Sequence, residues 1–442
     1  MDVIWSPFRC PKDTQVWARC GEAVMSDDQV RFGRTVAGFA TVGIYNVAAA
    51  GGRAVCRQAS ITPYTRGATP SGSEDVVPDI DQTEFLSDLE EHLHAVVRDT
   101  VAEPLRSIDE NLGTVAALCQ SAVQSGGKRL RPRFAYWAWR VGAPADAAPQ
   151  PLIRLAAALE LLHAAILVHD DVIDASEVRR GQPSVRAALT AGHRRDAGWG
   201  DATDFGDNMA LLVGDLLWSA AHDTFDDAVA GLPAGIAQRT SRAFRTMRVE
   251  VLAGQLLELR AQAGRDYHAD TAEKILRYKT SAYTVERPVE LGLELAGSAS
   301  PATAQTLRDY AGAVGQAFQL RDDLADLFGT TKTSGKRTGD DIRAGKPTEL
   351  LGAAYELADD LDRSLLATIV GDATADQAAI AEVQTVVLQC GAADRVGRRI
   401  ADLVATARRA IADLSASADP TALAGLSDML AECTELSFLP AE

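Results

Sequence analysis

From about Gln82 onward the hydrophobic positions recur at helical spacing, and strand-like alternation of any length is missing. Asp81-Gln82-Thr83-Glu84 has the form of a helix start, with acidic residues in the first turn. Leu152 to Asp174 forms one long apolar helix, and Arg154, Glu160 and His163 within it argue against a membrane span. Ser300-Pro301 supplies a cap and a first position for a helix running to Leu327. Arg399 to Leu414 is amphipathic at the same spacing, a pattern for core or subunit packing rather than a ligand site. These elements predict an all-α fold, a large bundle around a central cavity occupying residues 81–442.

Residues 1–80 differ. They hold eight Lys/Arg and eight Asp/Glu, so the net charge of −17 belongs entirely to the remainder. Glycine, proline and serine gather between Ile61 and Pro78, as in a linker. The apolar run Val36 to Ala50 is interrupted by Asn46 and falls short of the roughly 17–25 residues a membrane helix needs. It also begins too far from Met1 for an ordinary signal peptide. A largely disordered extension is the favoured expectation; a segment docking to a partner or compartment, or a start placed too early (Met25 is another candidate), are the alternatives.

Two copies of Asp-Asp-x-x-Asp stand out, each ending a long apolar stretch: Asp170, Asp171 and Asp174 follow Leu161–Val168, and Asp322, Asp323 and Asp326 follow Ala311–Leu320. Positions i and i+4 share a helix face. Like charges there destabilise a helix that lacks a counter-ion. Two such costs beside apolar stretches argue for metal, and oxygen ligands suit Mg²⁺, which is commonly held by one or two carboxylates plus substrate phosphates.

Three basic segments bracket these sets: Gly126-Gly127-Lys128-Arg129-Leu130-Arg131-Pro132, Arg179-Arg180-Gly181-Gln182-Pro183-Ser184, and Gly335-Lys336 through Gly345-Lys346-Pro347-Thr348. Glycine lets backbone approach a ligand closely, and arginine binds phosphate bidentately. In an otherwise acidic chain they read as two anion sites. The negative charge excludes nucleic acid as an obvious partner. Cys10, Cys20, Cys56, Cys119, Cys390 and Cys433 form no Cys-x-x-Cys and no paired histidine spacing, so neither zinc nor a disulfide framework is expected, and a reducing cytoplasm is.

Taken in order, Gly-Gly-Lys-Arg-x-Arg-Pro, Glu160-x-x-His163 before His169-Asp170-Asp171, Arg-Arg-Gly-x-Pro-Ser, Lys279-Thr280, Gly315-x-x-Phe318-Gln319-x-x-Asp322-Asp323 and the last Gly-Lys resemble the trans-isoprenyl diphosphate synthases, the polyprenyl synthetase family, over about residues 85–435. The resemblance implies an isoprenoid-synthase-type bundle, a homodimer, and Mg²⁺-dependent condensation of isopentenyl diphosphate with an allylic diphosphate. It assigns Asp170, Asp171, Asp174, Asp322, Asp323 and Asp326 to metal, three Mg²⁺ per site. Lys128, Arg131, His163 and Arg180 match positions that hold isopentenyl diphosphate. Arg179, Lys279, Lys336 and Lys346 match contacts to the allylic diphosphate, and Thr280 and Gln319 face the allylic cation. No protein base stands out; the departed diphosphate takes the proton in this family.

Two departures accompany the match: Glu258 stands where the family has aspartate, and the C-terminus ends without the terminal arginine of some members. Product length is read from the turn before Asp170, where farnesyl-making relatives tend to carry an aromatic ring. Here Ala165 is small, with Ile166, Leu161 and Leu162 nearby, and the segment Lys279–Pro288 resembles bacterial geranylgeranyl synthases. Geranylgeranyl diphosphate is therefore the expected product. A longer polyprenyl chain is the alternative, and a silent regulatory subunit or a class I terpene cyclase stand further behind. The first conflicts with the intact aspartates, the second with the duplicated aspartate set and the Lys128–Arg131 cluster.

Overall fold

The computed structural model describes residues 81–144, 147–329 and 338–436 in full, and only the backbone of short strands between 23 and 54. Those strands belong to a unit of their own, Met1–Glu74. In it β1 (Ala23–Ser26), β2 (Gln29–Val36) and β3 (Phe39–Gly43) pair antiparallel in that order, with Ala23 opposite Phe32 and Phe32 opposite Gly43. The disorder expected of residues 1–80 and the linker within them otherwise lie outside the described residues.

The second unit is helical, as the spacing predicts. It opens with α1 (Gln82–Val96), whose N-cap is Asp81, a side chain accepting from the Glu84 N–H. Then come α2 (Glu103–Ile108), α3 (Gly113–Gln124), α4 (Leu130–Gly142) and α5 (Gln150–Ile173). A two-residue hairpin, β4 (Val178–Arg179) with β5 (Gln182–Pro183), separates α5 from α6 (Val185–Arg195). The long helices α7 (Ala202–Val229) and α8 (Ala234–Gly264) follow, then α9 (Ala269–Ile275) and α10 (Arg287–Ala296), joined by a π-helical stretch, Leu276–Glu286. Next is α11 (Pro301–Phe328), capped by Ser300 as expected. The C-terminal part holds α12 (Asp340–Ala344), α13 (Glu349–Leu357), α14 (Asp360–Ile369), α15 (Gln377–Gln389), α16 (Ala392–Leu414) and α17 (Pro420–Thr434).

Helix α5 is the hub. Its length and composition would suit a membrane, but most of it is enclosed by the bundle. Leu155, Leu159, Leu161 and Leu162 are wholly buried. Each contributes about 2 kcal/mol through loss of apolar surface to water. Burial on every side explains why α5 carries no clean polar stripe: α4 and α7 cover it where a surface helix would meet solvent. The polar end of α5 is its last turn, and that is where the chemistry begins.

Long π-helical runs are rare and cluster at functional positions. Here the run carries Lys279 and Thr280, and α8 lets its backbone come close because residue 254 is glycine. A Cβ at Gly254 would stand 2.6 Å from the Lys279 Cα, a collision with main chain that no rotamer relieves. By contrast a Cβ at Gly312 on α11 would meet nothing within 4 Å. Gly254→Ala should therefore lower stability by about 1–3 kcal/mol from overpacking, whereas Gly312→Ala should be neutral or raise it by up to about 1 kcal/mol through helix propensity. Urea midpoints of the two variants check this; equal midpoints would contradict the close approach.

Candidate active site

Asp170, Asp171 and the C-cap residue Asp174 crowd the last turn of α5. Three negative charges at a helix C-terminus oppose the helix dipole as well as each other. Their compensation comes from residues distant in sequence. The β4–β5 hairpin turns through Arg180 (φ 53°) and Gly181 (φ 74°), the double positive φ of the tight hairpin turn. That folds Arg179 back over the helix end, with its Nε donating to Asp171 at 2.9 Å and its Nη2 to Asp170 at 3.3 Å. Lys346 reaches Asp174 at 2.9 Å and Asp341 at 3.7 Å. Lys279 pairs with Glu258 and stands 3.7 Å from Asp170.

The second aspartate set sits on α11 across the cavity. Asp322 pairs with Arg321 at 3.0 Å, and buried Asp323 accepts from Gln319 Nε2 at 2.7 Å. Asp326 accepts the backbone N–H of Asp341 at 3.1 Å. Burial, reinforced by the nearby Asp341 carboxylate, raises the Asp323 carboxyl well above the ordinary range. Burial also raises Asp171, with the Arg179 hydrogen bond pulling the other way.

A third cluster lies beside α4. Arg131 donates to Thr284 Oγ1 at 2.8 Å and stacks 4.1 Å over the Tyr283 ring. The Tyr283 hydroxyl meets His163 Nδ1 at 3.1 Å. Burial, then the charges of Arg131 and Arg180, depress the His163 pKa well below the usual histidine range, so the ring is neutral. Burial raises Tyr283 and keeps its proton in place. In the tautomer where Tyr283 donates to Nδ1, His163 offers Nε2–H to an anion. Arg180 donates to the carbonyl of Gly126, and Lys128 is half-exposed, 3.5 Å from Glu432 of α17.

These clusters line one cavity of about 600 Å³. Of the sequence-nominated residues, Lys128, Arg131, His163, Asp170, Arg179, Arg180, Lys279, Thr280, Gln319, Asp322, Asp323, Asp326 and Lys346 border it. Asp171 and Asp174 stand behind, held by Arg179 and Lys346. Lys336 lies outside the described residues. Asp341, Tyr283 and Thr284 were not nominated; Asp341 sits within a quoted basic segment, but nothing in its local spacing ties it to Asp326. Glu258, the departure from the family pattern, reaches Lys279 with its longer side chain.

The donor set fits a hard cation. Among the described residues no three acidic, histidine or cysteine side chains converge to coordinate an ion alone. Carboxylates that close no protein-only cage suit Mg²⁺, which completes its sphere with phosphate oxygens and water. Asp170, Asp171 and Asp174 would hold it from one side and Asp322, Asp323 and Asp326 from the other.

A histidine held neutral by folding makes stability fall with acid: the unfolded chain binds a proton below about pH 6.5 that the folded chain refuses. Stability is full above that pH and is lost as pH drops, by about 1.4 kcal/mol per unit for one group. His163→Gln should flatten this slope between pH 7.5 and 5.5 in urea titrations; an unchanged slope would contradict a neutral His163.

A family model described as polyprenyl synthetase matches residues 113–387. An all-trans-nonaprenyl-diphosphate synthase (geranyl-diphosphate specific) of Rhodobacter capsulatus is 32% identical over 344 residues, 77% of this chain and 97% of that protein. A short chain isoprenyl diphosphate synthase of Methanothermobacter thermautotrophicus is 28% identical over 345 residues, 78% and 94% of the two chains. The solved geranylgeranyl pyrophosphate synthase of Corynebacterium glutamicum, complexed with isoprenyl diphosphate and magnesium, is similar at a TM-score of 0.76 and 32% identity, over 81% of this chain and all of that one.

Proposed function

The chain belongs to the polyprenyl synthetase family and is a prenyltransferase that elongates prenyl chains, and on that premise we propose that it condenses isopentenyl diphosphate with allylic diphosphates to make geranylgeranyl diphosphate. The observation that carries the chain length is Ala165, fully buried five residues before Asp170. No aromatic ring occupies α5 in that turn, and Ile166 is the larger neighbour. A tail growing from Asp170 along α5 meets a small side chain there and passes beyond fifteen carbons. The family's named relatives run from farnesyl to nonaprenyl synthases, so the length is read from these residues and not from the match.

In this reading Arg179, Lys279 and Lys346 hold the allylic diphosphate, and the leaving group's charge develops against cations already in place. The two aspartate sets would hold Mg²⁺, three ions per site in this reading, which would supply Lewis-acid stabilisation of that charge and a template for the diphosphate. Lys336 belongs to the same group of cations. Lys128, Arg131, Arg180 and neutral His163 hold isopentenyl diphosphate, with its double bond toward the allylic carbon. Thr280 and Gln319 turn oxygens toward the cation, and the departed diphosphate takes the proton.

A homodimer is part of the proposal. Helix α8 exposes Val249, Leu252, Leu256 and Leu259, a 3–4–3 spacing that makes one apolar stripe, and α7 exposes Phe205 and Leu212. The described cysteines, Cys119, Cys390 and Cys433, are free thiols, in keeping with a cytoplasmic setting. The extension, residues 1–80, serves in this reading as a segment that docks to a partner or compartment.

Purified protein, Mg²⁺ and isopentenyl diphosphate with dimethylallyl, geranyl or farnesyl diphosphate should yield a twenty-carbon product, from a sample that elutes as a dimer. Ala165→Phe should shorten the product toward fifteen carbons with the reaction retained. Longer wild-type products would overturn the chain length, and a monomer would overturn the dimer. Absence of condensation with every primer would overturn the reading of the site.

A further inference from the structure

Arg129 borders the cavity between Lys128 and Arg131, yet its guanidinium is committed to protein partners. Its Nε and Nη2 donate to both Glu90 oxygens at 2.7 and 3.0 Å, and its Nη1 donates to Glu160 at 2.6 Å. Nη2 also donates to the Val123 carbonyl at 3.1 Å. These partners come from α1, α5 and the last turn of α3. The Arg129 and Glu160 side chains are almost wholly buried, at 8% and 3% exposure. A buried cation between two carboxylates adds little net stability but fixes geometry, because breaking it strands a charge.

The backbone at this position is also unusual. Arg129 has φ 49°, in the left-handed region that a side chain other than glycine rarely adopts, two residues after Gly127, which with Gly126 is also at positive φ. Such a conformation persists where surrounding contacts over-determine it. Here the contacts are those of the guanidinium. The chain leaves this residue straight into α4, whose first turn carries Arg131. The other end of the clamp, Glu160, lies one turn before His163 on the same face of α5. One side chain thus joins the loop bearing Lys128, the helix start bearing Arg131 and the helix turn bearing His163.

We infer that Arg129, held between Glu90 and Glu160, is a positioning residue that sets the affinity for isopentenyl diphosphate and leaves the allylic site largely alone. The inference rests on the assignment of Lys128, Arg131 and His163 made above. Lysine at this position keeps the charge but cannot engage two carboxylates and a carbonyl in a planar fork.

The test is a set of Michaelis constants for each co-substrate separately, in the full chain, for wild type, Arg129→Lys and Glu90→Gln, with thermal midpoints alongside. The expected result is a rise in the isopentenyl diphosphate KM of about tenfold in Arg129→Lys and less in Glu90→Gln, with kcat and the allylic KM changed by no more than about twofold. A folded variant in which both KM values move together, or in which only the melting temperature falls, would overturn it. Should Arg129→Lys fail to fold, Glu90→Gln decides, since the Glu90 side chain is 42% exposed and its loss is the milder change. A wild type that condenses normally beside unaltered KM values in the variants removes the clamp alone; a wild type that condenses with no primer removes the site assignment as well.

Discussion

Charge compensation between two sets of aspartates and cations drawn from distant segments is the constraint on which the rest of this structure depends. The end of α5 is electrostatically unfavourable by itself: three carboxylates stand where the helix dipole is already negative. Arg179 from the hairpin, Lys279 from the π-helical stretch and Lys346 from the loop before α13 each approach it. The same groups are what a metal–diphosphate pair would need. In the proposed reaction a diphosphate would take over the cations as its counter-charge, and divalent ions would take over the carboxylates. The protein pairs with itself the charges that it would otherwise pair with substrate.

That economy fixes the shape of the bundle around it. Lys279 can stand near both Glu258 and Asp170 only because the π-helical stretch lies against α8, and it lies there because residue 254 has no side chain. The glycine of the Gly254-Gln255-x-x-Glu258 segment and the lysine of Lys279-Thr280 are two halves of one contact. On the other side of the cavity, Arg131 stacks on Tyr283 and Tyr283 hydrogen-bonds His163, a chain whose middle member keeps its proton through burial and whose last member stays neutral. Two cationic clusters of different character follow, both proposed as anion sites: one of cations already paired with acid, one of cations around a neutral donor.

Much of this was legible in the sequence. The paired aspartates advertised themselves because like charges at helical spacing beside apolar residues are costly, and Asp81 and Ser300 were readable as caps from local chemistry alone. The all-α class followed from the absence of alternation after Gln82. Other features had no local signal. Arg131 and Thr284 are separated by 153 residues and His163 and Tyr283 by 120, so only the fold brings them together. Arg129 stood in a basic run read only as part of an anion site; the carboxylates that claim it lie 39 and 31 residues away. Asp341 read as part of a basic loop until its backbone met Asp326.

The most direct test of this account is a calorimetric titration of Mg²⁺ into the protein, with and without inorganic diphosphate. Carboxylates already neutralised by Arg179, Lys279 and Lys346 should bind Mg²⁺ weakly alone. With diphosphate drawing those cations away, affinity should rise by about tenfold or more, since linked binding is reciprocal. Equal Mg²⁺ affinity in both titrations would contradict the exchange of partners at the centre of the site.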